Sequence, residues 1–369
     1  MSARLTVVLD EVGERSTTMV GRYGAELAAA LVRTAPEGVE VAGLSPSVSE
    51  RRAERIAALV PGLADLRQTA VPARELRQAW LHSIATLPVR GLVHSTSLLA
   101  PLTRDRQVGD QRTVTLHGLH PLSDRSSRKA RWFERALRRA VQHADGIVVP
   151  TTAVAEDLAE RADVGSRVRV VHPAPSSWLH VPEDDDAVAR RLALPAEYVL
   201  AITAPGASVQ AERLVETIAS RSMPDVRVVV AGPVEWGETT LAALAVEAGI
   251  AAGRLVMLGD LDDADLAVAY RRALAHLHVS DVDALGLTLL EAAALGTPTV
   301  HPSSRSLLEI GGGASVAALG GTERLAAALA GLLGDEEERV RLGLLAQDRA
   351  RAFTWEAAAA QVWQLHAEL

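Results

Sequence analysis

Short β-branched runs alternate with helix-patterned stretches along this chain, and the series is run through twice. Strand-like runs in the first half fall at residues 5–9, 39–44, 92–94, 113–116, 147–149 and 168–171. Helical patterns at 25–32, 50–59, 130–143 and 154–161 lie between them. The second half continues with strands at 198–202, 226–231, 255–258, 275–279 and 299–301. Its helices are expected at 211–219, 239–248, 264–272, 288–294 and 323–333. Near-continuous apolar strands separated by helices indicate parallel sheets covered on both faces. The fold class is therefore α/β, with two Rossmann-like doubly wound domains. A length of 369 residues, at ~150 per domain, agrees with two.

The junction falls in residues 173–195, which hold four prolines and the acidic run 183–186. An acidic run can suggest metal ligands, but here a short helix at 187–192 follows, and capping that helix is the simpler reading. The predicted domains are 1–178 and 179–352, with a C-terminal helix over 353–369 that has Thr354 as its N-cap and is expected to pack back on the first domain. Cysteine is absent, which excludes disulfides and fits a reducing compartment. The opening MSARLTVVLDE reads as a strand rather than a signal peptide, and no apolar run reaches the ~18–20 residues of a membrane span. A cytoplasmic location is expected. Net charge −8 and an aromatic content of 3% argue against a nucleic-acid partner. There is no G-x-S-x-G elbow, and no Walker A loop is possible because the only lysine, Lys129, follows Arg128.

Residues 275–300 read AHLHVSDVDALGLTLLEAAALGTPTV. A strand leads into a loop bearing Asp283, then Gly286 and Leu287, then a helix with Glu291 on its first turns. This arrangement presents helix N-terminal N–H groups at a strand's carboxyl end, where doubly wound sheets take phosphorylated ligands. Glu291 can accept hydrogen bonds from sugar or ribose hydroxyls. An acid beside a helix start is otherwise a favourable dipole partner and nothing more.

The whole stretch resembles the donor-site signature E-G-F-G-L-x-x-x-E-A-x-A-x-G-x-P-V of the retaining glycosyltransferases of family 4. Other segments resemble that family in the same order: Val20-Gly21-Arg22-Tyr23, Thr113-Val114-Thr115-Leu116-His117, Ala144-Asp145-Gly146-Ile147-Val148-Val149, Val229-Val230-Ala231-Gly232-Pro233, Leu258-Gly259 and Phe353-Thr354-Trp355. The resemblance implies a GT-B architecture, two Rossmann-like domains facing across a cleft, with the acceptor on the first and a nucleotide-sugar donor mainly on the second. It implies retention, no metal and no cofactor beyond the donor itself, since cations and helix dipoles stabilise the leaving diphosphate. By the same resemblance Glu291 holds the donor ribose, Asp283 the sugar hydroxyls, and Gly286 and Leu287 offer backbone N–H groups. His117 stands near the reacting carbon, while Gly21 and Arg22 approach the diphosphate. His117 read by itself is equally a strand-end histidine satisfied by neighbouring backbone.

The chain also departs from the pattern. Asp283 replaces the first glutamate, and Ala284 and Leu285 replace Gly and Phe. Where the family carries an Arg-Lys clasp for the diphosphate, this chain has Ser208 and Val209, after Ala204-Pro205-Gly206-Ala207. With one lysine in the chain, any replacement cation is an arginine; Arg213 is nearest and is expected to face solvent. The expected function is a hexosyltransferase, mannose-like in donor, acting on a cell-envelope glycan or lipid-linked acceptor. The alternative is a catalytically silent homologue that binds a sugar, a nucleotide or a partner transferase. Residues 125–139 (RSSRKARWFERALRR) form a basic amphipathic helix. It suits either peripheral contact with the inner face of an anionic membrane or a solvated face over a buried apolar stripe.

Overall fold

In a computed structural model that describes residues 3–14, 18–84, 89–102, 107–120, 127–204, 208–236 and 239–369, the chain forms two compact units. One is Met1–Pro173 with Thr354–Leu369, the other Ala174–Phe353. Arg125 of the basic segment, and Pro205, Gly206 and Ala207, lie outside the described residues.

The first unit runs β1 (Ala3–Val8), α1 (Met19–Arg33), β2 (Val39–Ser45), α2 (Glu50–Leu59), β3 (Leu66–Gln68), α3 (Ala73–Leu81), β4 (Leu92–Ser95), β5 (Gln111–Thr115), α4 (Arg128–His143), β6 (Gly146–Val149), α5 (Thr152–Ala159) and β7 (Val168–Val170). Its strands form one sheet in the order β3-β2-β1-β4-β5-β6-β7, every pair parallel. The pattern reading did not anticipate β3 or α3. Strand β3 is the polar tripeptide Leu-Arg-Gln at a sheet edge with no fully buried residue, so it lacks the apolar run that marks central strands.

The second unit contains α6 (Asp185–Arg191), β8 (Tyr198–Ile202), α7 (Ser208–Ala219), β9 (Arg227–Ala231), β10 (Glu235–Trp236), β11 (Thr239–Thr240), α8 (Leu241–Glu247), β12 (Leu255–Gly259), α9 (Asp263–Arg272), β13 (Ala275–Leu277), α10 (Leu287–Ala294), β14 (Thr299–Pro302), α11 (Arg305–Gly311), β15 (Val316–Ala318), α12 (Thr322–Leu333) and α13 (Glu336–Ala350). Its six-stranded parallel sheet has the order β12-β9-β8-β13-β14-β15, and β10 and β11 make a small antiparallel ribbon. The acidic runs serve as caps: Asp184 accepts from Ala187 N at 2.9 Å, and Asp262 from Asp265 N at 2.8 Å. Asp185 and Asp186 both pair with Arg272.

The last helix, α14 (Trp355–Glu368), belongs to the first unit. Thr354 caps it, accepting from Ala357 N at 3.1 Å. Its Trp355 ring meets Tyr23 edge-on at 5.5 Å, Trp363 Nε1 donates to Thr34 Oγ1 at 3.2 Å, and Arg33 pairs with Glu356 at 2.6 Å.

Each sheet reverses its strand order once, between β1 and β4 in the first unit and between β8 and β13 in the second. At such a reversal the loops leaving two adjacent strands diverge, which opens a crevice at their carboxyl ends.

Candidate functional site

In the second unit the loop after β13 is shaped by its own side chains. Asp283 Oδ1 accepts from the backbone N of Leu285 at 2.9 Å and of Gly286 at 3.0 Å, a turn that ends at the start of α10. Gly286 takes the cap position with φ 59° and ψ 26°, and a Cβ there would lie 2.8 Å from Ile310 Cδ1. Glycine is required by both the left-handed backbone and the close approach. It supplies no side chain to the first-turn N–H groups of α10. Leu287 is buried and Glu291 is 1% exposed, with Glu291 Oε2 accepting from Tyr270 Oη at 3.3 Å.

These contacts correct two expectations. The Gly286 N–H is engaged by Asp283 within the turn. Asp283 also spends one oxygen on the turn. Its second, Oδ2, lies 3.7 Å from His278 Nε2. His278 had not been singled out from sequence. Its side chain is 9% exposed, Nδ1 meets Thr288 Oγ1 at 3.1 Å, and Nε2 has no hydrogen-bond partner among the described residues. Burial holds its pKa below the usual histidine value, against the opposing pull of Asp283.

The start of α7 is tied to the same loop. Val209, standing where the clasp lysine is expected, is 65% exposed, while Gln210 Nε2 donates to Ser280 Oγ at 3.0 Å. Ser208 opens the helix and is half-buried. Arg213 does not face solvent: its side chain is 23% exposed and pairs with Asp281. A helix turn places residue 213 on the face that follows Gln210, so the sheet-side loop is within its reach.

The first unit gathers a second set of polar groups at its own reversal. Thr18 caps α1, accepting from Gly21 N at 2.9 Å and donating to Glu11 Oε2 at 2.8 Å. A Cβ on Gly21 would sit 2.6 Å from the Glu11 carbonyl oxygen, so the helix start needs glycine to lie this close to the loop. Arg22 is buried at 8% exposure. His117, following β5, donates from Nε2 to the Thr96 carbonyl at 2.6 Å, and its Nδ1 has no partner among the described residues. Burial holds its pKa below the usual histidine value, against the opposing pull of the Thr96 hydrogen bond and Glu11. The backbone-satisfied reading of His117 thus holds for one nitrogen and leaves the other a bare acceptor. Asp10, at the end of β1, accepts from Ser97 Oγ at 3.0 Å. Its pKa is pushed up to about 7 by burial and then by the neighbouring Glu11. Asp10 and Ser97 match no local motif; the signal in the sequence is their position just beyond the two strands that flank the reversal.

Helix α4 resolves the basic segment. Ala136, Leu137 and Ala140 are buried, and Trp132 packs against the cluster of Leu76 and Trp80, with Arg77 over its ring at 5.5 Å. Arg139 donates to Ser83 Oγ at 2.9 Å and turns inward. Arg128, Lys129, Arg131 and Arg135 are exposed. The apolar stripe is consumed by the fold, so only a charged face is offered outward. No helix among the described residues is long and apolar enough to cross a membrane.

Residues 20–174 match the family described as Glycosyltransferase Family 4, and residues 208–364 match the family described as Glycosyl transferase-like. The chain is similar to D-inositol 3-phosphate glycosyltransferase of Corynebacterium efficiens, 30% identical over 63% of this chain and 58% of that relative. It is also similar to phosphatidyl-myo-inositol mannosyltransferase of Mycolicibacterium smegmatis, 30% identical over 39% of this chain and 37% of that relative. The matched stretches therefore span less than two thirds of these relatives' own lengths. Among solved structures, sucrose-phosphate synthase from Thermosynechococcus elongatus shares the fold with a TM-score of 0.76, at 20% identity over 99% of this chain and 98% of that one. Anabaena HepE, solved in complex with UDP-glucose, follows with a TM-score of 0.71, at 14% identity over 99% and 100%. Two family matches that cover both halves, on a fold shared along the length of the chain, show that it belongs to the family 4 glycosyltransferases of the GT-B fold.

Proposed function

We propose that this protein transfers a hexose from a nucleoside-diphosphate sugar, with retention and without a metal, to an envelope glycan or lipid-linked acceptor. The observation that carries the reading is the β13–α10 corner. There an uncapped helix start, a left-handed Gly286 and a buried Glu291 converge at the strand-order reversal. A helix N-terminus favours the diphosphate, and Glu291 suits the ribose hydroxyls. Asp283 Oδ2 remains for the sugar, with His278 behind it. The acceptor belongs to the first unit, at the ends of β1, β4 and β5, where Asp10, Ser97 and His117 lie. The curated relatives named for inositol phosphate and phosphatidylinositol glycosylation favour a phosphorylated polyol or glycolipid acceptor, and one of them a mannosyl donor.

Calorimetric titration with UDP, GDP and their sugars tests the donor half. Binding of one diphosphate in the micromolar range is expected, weakened about 10- to 100-fold by Glu291→Ala, since hydrogen bonds to a charged group contribute ~1.5–3 kcal/mol. Absence of binding to every nucleotide would reject the reading. A second reading, a binding protein without turnover, is favoured by Ser208 and Val209 in place of the diphosphate clasp. Donor binding with neither transfer nor donor hydrolysis, across inositol phosphate and lipid acceptors, would select it.

A further inference from the structure

The donor's diphosphate lacks the two cations that the family pattern places at residues 208 and 209, the first positions of α7. The side of α7 that meets the loop between β13 and α10 carries another cation, Arg213. Arg213 projects from α7 to Asp281, and Gln210 one turn earlier bonds Ser280, so this face of α7 lies against the loop that leads from β13 into α10. The guanidinium is thus held at the loop whose Asp283 turn runs into the uncapped start of α10, where His278, 9% exposed, bonds Thr288. Arg213 donates from Nη1 to Asp281, while its buried Nε–H has no hydrogen-bond partner among the described residues. A planar guanidinium carries five N–H donors, so one carboxylate contact leaves most of its capacity unspent.

We propose that Arg213 is the diphosphate-binding cation of this chain and that Asp281 is its resident counter-ion, which the donor displaces or shares. This rests on the donor site of the preceding section. Physically, a cation held beside the positive end of a helix is costly when the site is empty, and a neighbouring carboxylate offsets that cost. Asp281 is half exposed, so it can return to water when a diphosphate takes its place. No bond is made or broken; the exchange is one anion for another on a fixed guanidinium. Leaving-group stabilisation then comes from a single arginine supplied four residues beyond Val209 instead of from a paired Arg and Lys.

The two partners of the ion pair make the test. Wild type, Arg213→Gln, Arg213→Lys and Asp281→Asn are titrated with UDP and GDP, and with uridine and guanosine, and their melting curves are recorded. Arg213→Gln is expected to weaken the diphosphate about 10- to 100-fold with the bare nucleoside unchanged. Arg213→Lys should fall between the two, and Asp281→Asn should tighten the diphosphate several-fold. Asp281→Asn breaks the same ion pair, so a purely structural role would make both variants lose affinity together. Equal diphosphate affinity in wild type and Arg213→Gln, or parallel losses in Arg213→Gln and Asp281→Asn, would overturn the assignment. If wild type binds no nucleoside diphosphate, the donor site itself fails and the assignment falls with it.

Discussion

At the end of β1, Asp10 is a carboxyl group poorly placed to carry a charge. It is 4% exposed, next to Glu11, and held by Ser97. Because its folded pKa of about 7 lies above the ordinary carboxylate value, the native state holds a proton that the unfolded chain releases. Its contribution to stability is therefore intact in acid and is lost as pH rises through that window. Asp10→Asn is expected to gain stability over wild type between pH 5 and pH 8, by on the order of 1–3 kcal/mol, in denaturant titrations at both pH values. A constant difference across that range would show that the burial cost is absent. Gly286 sets a different constraint. An alanine there takes on a left-handed backbone and meets Ile310, so Gly286→Ala should cost about 1–2 kcal/mol and lower the thermal midpoint of the second unit. Gly286, Asp283 and Glu291 were legible in the sequence, since a turn glycine and acids at a helix start have local causes. Arg213 was named as the nearest cation, but its inward pairing with Asp281 and the contact of Asp10 with Ser97 were not legible, because these partners lie 68 and 87 residues away.

Among the elements, α4 shows how a helix with two faces is divided. The Trp132, Ala136, Leu137 and Ala140 stripe is buried within the first unit, so any membrane contact through this helix is electrostatic. Replacing Arg128, Arg131 and Arg135 with glutamine should reduce co-sedimentation with vesicles rich in anionic lipid. The expected loss is ~1 kcal/mol per residue near the surface, or roughly 100-fold for three, and it should fade in high salt. Unchanged partitioning would remove the membrane role. Helix amphipathicity was plain from the sequence; which half of it stays outside was decided by packing against Leu76 and Trp80 of α3, a partner that nothing within α4 identifies.

For the whole molecule, the C-terminal helix closes the first unit rather than the second, beside which it lies in sequence. Trp355, Ala359, Val362 and Leu365 are almost fully buried in α14, and His366 bonds Gln111 Oε1 at 2.8 Å. Ending the chain after Phe353 should cost the first unit on the order of 5 kcal/mol, from four apolar side chains of which the larger contribute ~1.5–3 kcal/mol each. A melt should then show the first unit's transition displaced and the second's in place; a shift of both together would contradict the division. The alternation of apolar runs with helices determined by itself that there are two parallel-sheet units, because strand burial on both faces is a local pattern. It also located the β13–α10 corner, where turn and helix-start chemistry are written in consecutive residues. The tertiary structure alone decided which charges meet. Arg213 with Asp281 and Asp10 against Ser97 join residues 68 and 87 apart in sequence, and only the strand order brings them within hydrogen-bond range.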